Sequence, residues 1–270
     1  MKVLVVFALV LATAAAGLLP QQEPISPSNL SDVSLMEGRI TNGNKASTGQ
    51  FPYIVGLSFV IWWCGGSIIS NEYVLTAASC VSGYSVTIYY GSTTREKGKL
   101  THTVDPTNII IHENYNSFWR TNDIALIKTP YISFTKYIQK VKLPAYDDTN
   151  IYPTYAGDWA TACGWGNTKT FAYDYSKALR YATFEIITLQ KCLEYYEANV
   201  ANTKTICVKT TDKTSTCIGD GGGPLVRGDL LIGIVMNFVS KNGCQANDPA
   251  VFIRVTSYLG WIGSKTGIYY

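Results

Sequence analysis

The stretch that decides the fold of this 270-residue chain is Cys217-Ile218-Gly219-Asp220-Gly221-Gly222-Gly223-Pro224-Leu225-Val226. Three consecutive glycines after an aspartate cannot continue a helix or pack as a strand. They suit a backbone that needs unusual dihedral angles and the close approach of another group. Pro224-Leu225-Val226 then begins an apolar strand. We interpret the stretch as a tight loop with a core strand behind it, in which the central residue, Gly221, has no side chain for chemistry.

Composition is typical of a compact, β-rich globular protein. Charged residues make up 15% of the chain, glycine occurs 23 times, tyrosine 19 times, and the formal net charge is +3. This charge is nearly neutral and contains no Lys/Arg run, so it argues against a nucleic-acid partner. The length suffices for a sizeable core in one large domain or two small ones.

Residues 1–16 are predicted to be a secretory signal peptide. Lys2 is followed by a short apolar run and by small residues up to Ala16, which is the pattern of such peptides. A membrane anchor needs about 20 apolar residues, and no segment of this chain is that long. Residues 17–39 are rich in proline and polar residues, which predicts a flexible pro-segment. We expect a secreted, extracellular protein without membrane association.

Short apolar runs separated by Gly, Ser and Asn fill the rest of the chain. They include residues 51–57, 62–69, 73–78, 86–90 and 108–111. Many short strands with regular turn signals predict a barrel or a sandwich. Near the end, Val255, Tyr258, Leu259 and Ile262 follow a 3.6-residue period, which predicts a C-terminal helix.

Several separated motifs resemble chymotrypsin-like, or trypsin-family, serine proteases. They are Arg39-Ile40-Thr41-Asn42-Gly43, Leu75-Thr76-Ala77-Ala78-Ser79-Cys80, Asn122-Asp123-Ile124-Ala125-Leu126-Ile127 and the Gly219–Leu225 loop. The resemblance covers residues 39–270. It implies an all-β fold of two six-stranded antiparallel Greek-key barrels with a C-terminal helix. It implies one protease domain over residues 40–270, with barrels at about 40–140 and 158–250 and the helix at about 255–266. The Jonah group of fly midgut proteases is the subgroup that the chain resembles most.

The catalytic triad of that family is represented by one residue. Asp123 matches the triad aspartate, whereas Ser79 stands at the histidine's place and Gly221 at the nucleophilic serine's place. A serine hydroxyl is no base at neutral pH, so it cannot accept and return a proton. Asp123 then needs other donors, such as the Ser79 hydroxyl and nearby backbone N–H groups. The alternative is an exposed aspartate at a strand end.

No metal or other cofactor is expected. The two histidines, His102 and His112, lie outside the motifs, and a metal site built on them lacks an obvious third ligand.

The resemblance also implies an activation step and an oxyanion hole. Cleavage after Arg39 by a trypsin-like protease would free an ammonium on Ile40, which would pair with Asp220. The alternative is an incidental arginine in a loop. The backbone N–H groups of Gly219 and Gly221 would form the oxyanion hole.

Seven cysteines in an exported chain predict a disulfide framework with one thiol left over. The resemblance implies the pairs Cys64–Cys80, Cys192–Cys207 and Cys217–Cys244. Cys163 remains, and we expect it to be a buried free thiol rather than part of an intermolecular bridge.

The substrate pocket of the family maps onto Ser215, Asn237, Val239 and Ala250. An uncharged Ser215 implies chymotrypsin-type preference. Asn237, Phe238 and Val239 stand where the family usually has S-W-G or S-F-G, and Ala250 narrows another wall by a methyl group. Such changes fit the loss of selection for peptide cleavage, or a pocket reshaped for a different ligand.

Three hypotheses follow for function. The first is a catalytically inactive protease homologue, a monomer that binds a peptide, a protein or a protease inhibitor and acts in binding or regulation. The alternative is a secreted chymotrypsin-like endopeptidase of digestive type. The third is a decaying gene without a selected function.

Overall fold

Two antiparallel sheets dominate the computed structural model, which describes residues 40–81, 83–149, 151–170 and 174–270. The predicted signal peptide and pro-segment, with Arg39, lie outside the described residues, so these stay predictions. The strands are β1 (Asn44–Lys45), β2 (Ile54–Ser58), β3 (Trp63–Ile68), β4 (Tyr73–Thr76), β5 (Val86–Tyr90), β6 (Leu100–Val104), β7 (Ile109–Ile111), β8 (Ala125–Lys128), β9 (Trp159–Gly164), β10 (Arg180–Ile187), β11 (Thr205–Val208), β12 (Pro224–Arg227), β13 (Leu230–Val235) and β14 (Ala250–Arg254). The α-helices are α1 (Leu189–Leu193) and α2 (Leu259–Thr266), and short 3₁₀ helices span Ala78–Cys80, Pro106–Asn108 and Val255–Tyr258.

The first sheet has the strand order β6-β5-β2-β3-β4-β8-β7. Its two edge strands, β6 and β7, are separated in the chain only by a short turn that contains Pro106. Because so few residues can span only a short distance, the sheet must curl until its edges approach each other. Proline has no N–H to donate and interrupts the strand there. This sheet therefore has seven strands instead of the six expected, since a strand of the barrel is divided in two.

The second sheet closes on itself. Its order is β1-β10-β11-β14-β13-β12-β9, and β9 also pairs with β10. Six of these strands form a ring, and the two-residue β1 is added to the outside of β10 through Asn44 and Lys45. The expected six-stranded barrel is present, and β1 is the seventh strand that the sequence did not indicate.

The predicted all-β fold with a C-terminal helix is confirmed. Val255–Tyr258 forms a 3₁₀ turn that continues into α2, which ends at Gly267 with a φ of +73°. Only glycine adopts that left-handed conformation without strain, so Gly267 stops the helix. Among the described residues, no helix is long and apolar enough to cross a membrane.

The cysteines pair as the resemblance implies. Disulfides join Cys64 to Cys80, Cys192 to Cys207 and Cys217 to Cys244. Cys163 is a buried free thiol, and burial raises the pKa of its thiol well above the usual value. Disulfides persist in oxidising, mainly extracellular, compartments, so this framework is typical of an extracellular protein.

Candidate functional site

Asp123 and Ser79 form a hydrogen-bonded pair between the end of β4 and the start of β8. The Ser79 backbone N–H donates to one carboxylate oxygen at 2.5 Å, and its hydroxyl donates to the other at 2.8 Å. Asp123 is buried. Burial raises its pKa, and the hydrogen bonds from Ser79 and from the Ala78 backbone oppose that rise. The Ser79 side chain thus partners the carboxylate, in agreement with the sequence-based expectation, and the alternative of an exposed Asp123 is wrong.

A Ser79→Ala substitution is expected to destabilise the protein by about 1.5–3 kcal/mol, because it removes a donor from a buried carboxylate. Urea denaturation measures this loss. Ser85→Ala is the matched control, since Ser85 lies 3.5 Å from Asp105 in an exposed pair. A surface change of that kind costs about 0.5 kcal/mol or less. Equal losses from the two variants would contradict the role assigned to Ser79.

The glycine loop packs against the first sheet. Gly65 N–H donates to the Gly221 carbonyl at 2.8 Å, and Gly222 N–H donates to Val235 at 2.8 Å. Gly222 has a φ of +79°, and a Cβ there would lie 2.2 Å from the Thr76 hydroxyl and 2.5 Å from the Gly65 carbonyl. This position requires glycine for both backbone and space.

Gly222→Ala is accordingly expected to cost about 3 kcal/mol or more, the sum of a strained left-handed residue and an overpacked contact. Gly228→Ala is the control, because Gly228 also has a positive φ, +61°, but open space around it. That control should lose about 1 kcal/mol from backbone strain alone. Thermal unfolding of the two variants checks the difference, and similar losses would contradict the packing assigned to Gly222.

Gly221 differs from Gly222 because its neighbour is a side chain. A Cβ at Gly221 would lie 3.0 Å from the Cβ and 3.2 Å from the Cγ of Asn237. A side chain at position 221 would therefore contact Asn237 closely, and one of the two would have to shift by a few tenths of an ångström. This contact was not predicted from the sequence. The only signal for it was Asn237, at a position where the family usually has a small serine.

The proposed oxyanion donors are free of protein partners. Within the described part of the chain, neither Gly219 N–H nor Gly221 N–H donates a hydrogen bond. Gly219 has a φ of +95°, and a Cβ there would lie 2.7 Å from the Tyr175 ring. Tyr175 thus covers this side of the loop, which no motif indicated.

Asp220 is fully buried. Its carboxylate accepts from the backbone N–H of Gly166 at 2.7 Å and of Cys217 at 3.0 Å. Burial raises its pKa to about 7, against the effect of these two hydrogen bonds. Gly166 is needed here, because a Cβ would lie 2.4 Å from the carboxyl group.

The Ile40 side chain is buried in the core of the second barrel, with a backbone φ of +27°. Among the described residues, no cation is paired with Asp220. The Ile40–Asp220 ion pair that would follow cleavage stays a prediction.

The residues assigned to the specificity pocket separate into two places. Ser215, Val239 and Ala250 line one cavity together with Tyr196 and Phe238, and its volume is only about 20 Å³. A cavity of that size holds about one water molecule. The Tyr196 and Phe238 rings pack edge to face at 5.5 Å, and the Tyr196 hydroxyl donates to the Pro249 carbonyl at 2.7 Å. The pocket cannot admit an aromatic side chain in this arrangement.

Asn237 does not line that pocket, which corrects the expectation. β13 ends at Val235, and Phe238 N–H donates to the Met236 carbonyl at 2.7 Å, so the chain turns tightly at Asn237. Residues 237–239 form no strand. Within the described chain, this segment therefore has no strand partner.

Asn237 instead borders the cleft next to Ser79. This cleft has a volume of about 270 Å³ and is lined by Trp62, Trp63, Cys64, Ser79, Tyr175, Ile218, Gly219 and Asn237. Trp62 is held by an N–H···O bond of 3.0 Å to the Cys80 carbonyl. The structure thus brings Ser79 and the Gly219 loop to one cleft, whereas the partner of Ser79, Asp123, lines a different cavity. Among the described residues, no three His, Cys, Asp or Glu side chains gather into a metal site.

Comparison with known proteins agrees with this geometry. The sequence model described as Trypsin matches residues 40–262. The chain belongs to the trypsin family.

Relatives within the trypsin family are close. Serine protease 1 of Drosophila melanogaster is 46% identical over 92% of this chain and 92% of its own length. The collagenase of Hypoderma lineatum is 42% identical over 99% of both chains. A solved structure of HL collagenase superposes with a TM-score of 0.77 at 39% identity, covering 85% of this chain and 99% of that one. A scabies mite inactivated protease paralogue superposes with a TM-score of 0.74 at 28% identity, covering 84% and 98%.

Proposed function

We propose that this member of the trypsin family is a secreted, catalytically inactive homologue with a binding or regulatory role. The observation that carries the proposal is the Ser79–Asp123 pair: the carboxylate that orients the imidazole in an active protease is satisfied by a serine hydroxyl and N–H. No imidazole is left to act as the base. Neither histidine offers one, because neither lines the cleft at Ser79. His102 lies on β6 beside the Tyr90 hydroxyl, and His112 follows β7 with its ring tilted against Trp261.

The absence of a nucleophile supports the same proposal. Gly221 has no side chain, and a Cβ there would lie only 3.0 Å from the Asn237 Cβ. In a comparable protease, loss of the nucleophile or the base lowers turnover by about 10⁶. Here both are replaced.

The surrounding site supports binding without cleavage. The collapsed pocket at Ser215 excludes a large anchoring side chain, whereas the cleft at Ser79 stays open. A peptide, protein or inhibitor ligand would then bind chiefly through the open cleft. The inactivated paralogue of the scabies mite supports the idea that this fold persists in inactive chains.

Other parts of the proposal rest on the sequence and on the relatives. The signal-peptide pattern, together with the disulfides, supports secretion. The Arg39-Ile40 junction and buried Asp220 support activation by a trypsin-like protease. Placement in the Jonah group rests on the motifs of the sequence, and similar serine proteases occur in Drosophila melanogaster. We propose that the protein is a monomer.

A second candidate is a secreted endopeptidase, because relatives named as serine proteases and collagenase are 42–46% identical to this chain. Purified protein, cleaved after Arg39, is assayed on Phe, Tyr and Leu amide substrates and on gelatin. If the protein is inactive, its turnover should not exceed the residual rate that the oxyanion hole and substrate binding alone provide. Turnover that a serine-directed inhibitor abolishes would contradict the proposal that the protein is catalytically inactive. If the gene is decaying, little folded protein should be secreted. The amount of the Arg39-cleaved form in secreted fluid tests this.

A further inference from the structure

The cleft at Ser79 is lined largely by aromatic side chains. Trp62 and Tyr175 line it and are half-buried, and Trp63 lines it from a buried position. Among the described residues, no charged side chain borders this cleft. Pockets of this kind bind apolar ligands, and a few polar groups orient them. We therefore expect an uncharged, largely apolar ligand.

Contacts outside the cleft hold both half-buried rings in place. The Trp62 indole N–H donates to the Cys80 carbonyl at 3.0 Å, and the Trp62 ring stacks on Phe59 with 5.1 Å between the ring centroids. The Arg95 guanidinium lies 5.8 Å from the centroid of the Tyr175 ring, which is a cation–π contact. A ligand that packs against these rings meets a surface that is already ordered, so less entropy is lost on binding.

A peptide cannot bind here as an added strand through residues 237–239. These residues form no strand, and strand addition requires an exposed strand edge. The Ser215 cavity has a volume of only about 20 Å³, so it admits no large anchoring side chain. A peptide ligand must therefore be recognised by packing on the aromatic rings and by hydrogen bonds to its carbonyl groups.

Two polar side chains of the cleft are free to form such hydrogen bonds. Asn237 is half-buried, and within the described chain neither its amide nor the Tyr175 hydroxyl forms a hydrogen bond. Both groups can donate to a carbonyl oxygen. Proline has a backbone carbonyl but no N–H, so a run of prolines needs donors and supplies none.

We propose that this cleft binds a proline-rich segment of a partner protein in the polyproline II conformation. The inference rests on the proposed function, because it names the ligand class of the same cleft in an inactive protein. Proline-rich segments dock in aromatic-lined grooves, and their backbone is ordered before binding. The proline rings pack on Trp62 and Tyr175, and the carbonyl groups accept hydrogen bonds from Asn237 and the Tyr175 hydroxyl.

Calorimetry with the purified secreted protein tests the proposal. The probe is hexaproline, acetylated and amidated to remove its terminal charges, and an equally capped hexapeptide of alternating serine and glycine is the flexible control. Hexaproline is expected to bind saturably and at least about tenfold more tightly than the control, because the control loses more backbone entropy when it is ordered. Equal binding of the two peptides, or no binding of hexaproline, would overturn the proposal.

Two cleft variants and one control locate the binding site. Trp62→Ala should lower hexaproline affinity by about tenfold or more, since a tryptophan at an interface is often a hot spot. Trp159→Ala is the matched control: Trp159 is 63% exposed and lines a different cavity, so affinity should not change. Asn237→Ala keeps the test decisive if Trp62→Ala does not fold. The Asn237 amide has no partner in the described chain, so the stability of the unliganded protein should not change, whereas hexaproline affinity should fall several-fold. An unchanged affinity in either folded cleft variant would overturn the proposal.

The amide-substrate assay separates failure of this inference from failure of the proposed function. Hydrolysis that a serine-directed inhibitor abolishes contradicts catalytic inactivity, regardless of hexaproline binding. No hydrolysis together with no hexaproline binding leaves the inactive homologue standing and overturns the ligand class. Aromatic side chains also stack on sugars, so binding of maltohexaose in place of hexaproline would overturn the proposal in favour of a carbohydrate ligand.

Discussion

A variant that carries Ser79→His, Gly221→Ser, Asn237→Gly and Val239→Gly is expected to hydrolyse chymotrypsin-type amide substrates several-fold faster than the variant with the first two changes alone. The double variant regains the base and the nucleophile, but Asn237 still crowds the new side chain, with its Cβ at 3.0 Å and Cγ at 3.2 Å. The contact requires a shift of a few tenths of an ångström. Since a misplacement of about 1 Å in an active site costs about 10²-fold in rate, its relief is expected to give a several-fold gain. Asn237→Gly removes both the Cβ and the Cγ that crowd position 221, and Val239→Gly removes a branched side chain from the segment after the tight turn.

The measurement is kcat/KM on a Phe amide substrate after cleavage at Arg39. The control contains the other three substitutions but keeps Gly221, and it should show no activity that a serine-directed inhibitor abolishes. Equal rates for the double and the quadruple variant would show that Asn237 and Val239 do not obstruct the site. Since the Ser215 cavity holds only about 20 Å³, recovered activity should remain well below that of an active relative.

The uncleaved protein is expected to lose stability as pH rises from about 4 to 7, and cleavage after Arg39 is expected to remove much of that loss. Asp220 has an ordinary pKa of 3.8, which rises to about 7 in the folded chain because the carboxyl is buried. The folded state therefore holds a proton that the unfolded state releases within this range. The corresponding stability is fully present below pH 3.8 and is lost as pH rises through 7. The shift corresponds to about 4 kcal/mol.

Cleavage after Arg39 would place a positive charge next to the Asp220 carboxylate. A new Ile40 ammonium beside Asp220 favours the carboxylate and lowers its pKa, so the decline with pH should shrink. Urea denaturation at pH 5 and pH 7.5, before and after cleavage, measures the difference. Asp220→Asn serves as the control, because it removes the titrating group. It should abolish this pH-dependent loss of stability in both the uncleaved and the cleaved protein. The same decline in cleaved and uncleaved protein would rule out the Ile40–Asp220 switch.

Much of the site could be predicted from local sequence because motif residues occupy set places on strands. Asp123 precedes β8 and Ser79 follows β4, and these two strands pair, so the partners were predictable from their motifs. The disulfide pairs followed from the resemblance to the protease family, because six cysteines alone allow 15 pairings. The strand count was less predictable, since β1 has only two residues and no apolar period.

Contacts between segments that are distant in the chain could not be predicted from the sequence. The approach of Asn237 to Gly221 depends on a tight turn after β13, and the closure of the Ser215 pocket depends on Tyr196 packing on Phe238. Such features arise from packing between loops that are distant in the chain, and no local sequence pattern indicates which residues become neighbours.

By itself, the sequence determined that Gly221 carries no nucleophile and that Ser79 is no base, because these are properties of the side chains themselves. Its strand and turn pattern also predicted a barrel or a sandwich, and the resemblance of its motifs to trypsin-family proteases selected the two barrels. Only the tertiary structure decided that the Asp220-Gly221-Gly222-Gly223 loop is crowded by Asn237 and covered at Gly219 by Tyr175. The physical reason is steric: whether a side chain fits at Gly221 depends on atoms 16 residues away, and their position is set by the turn that follows β13.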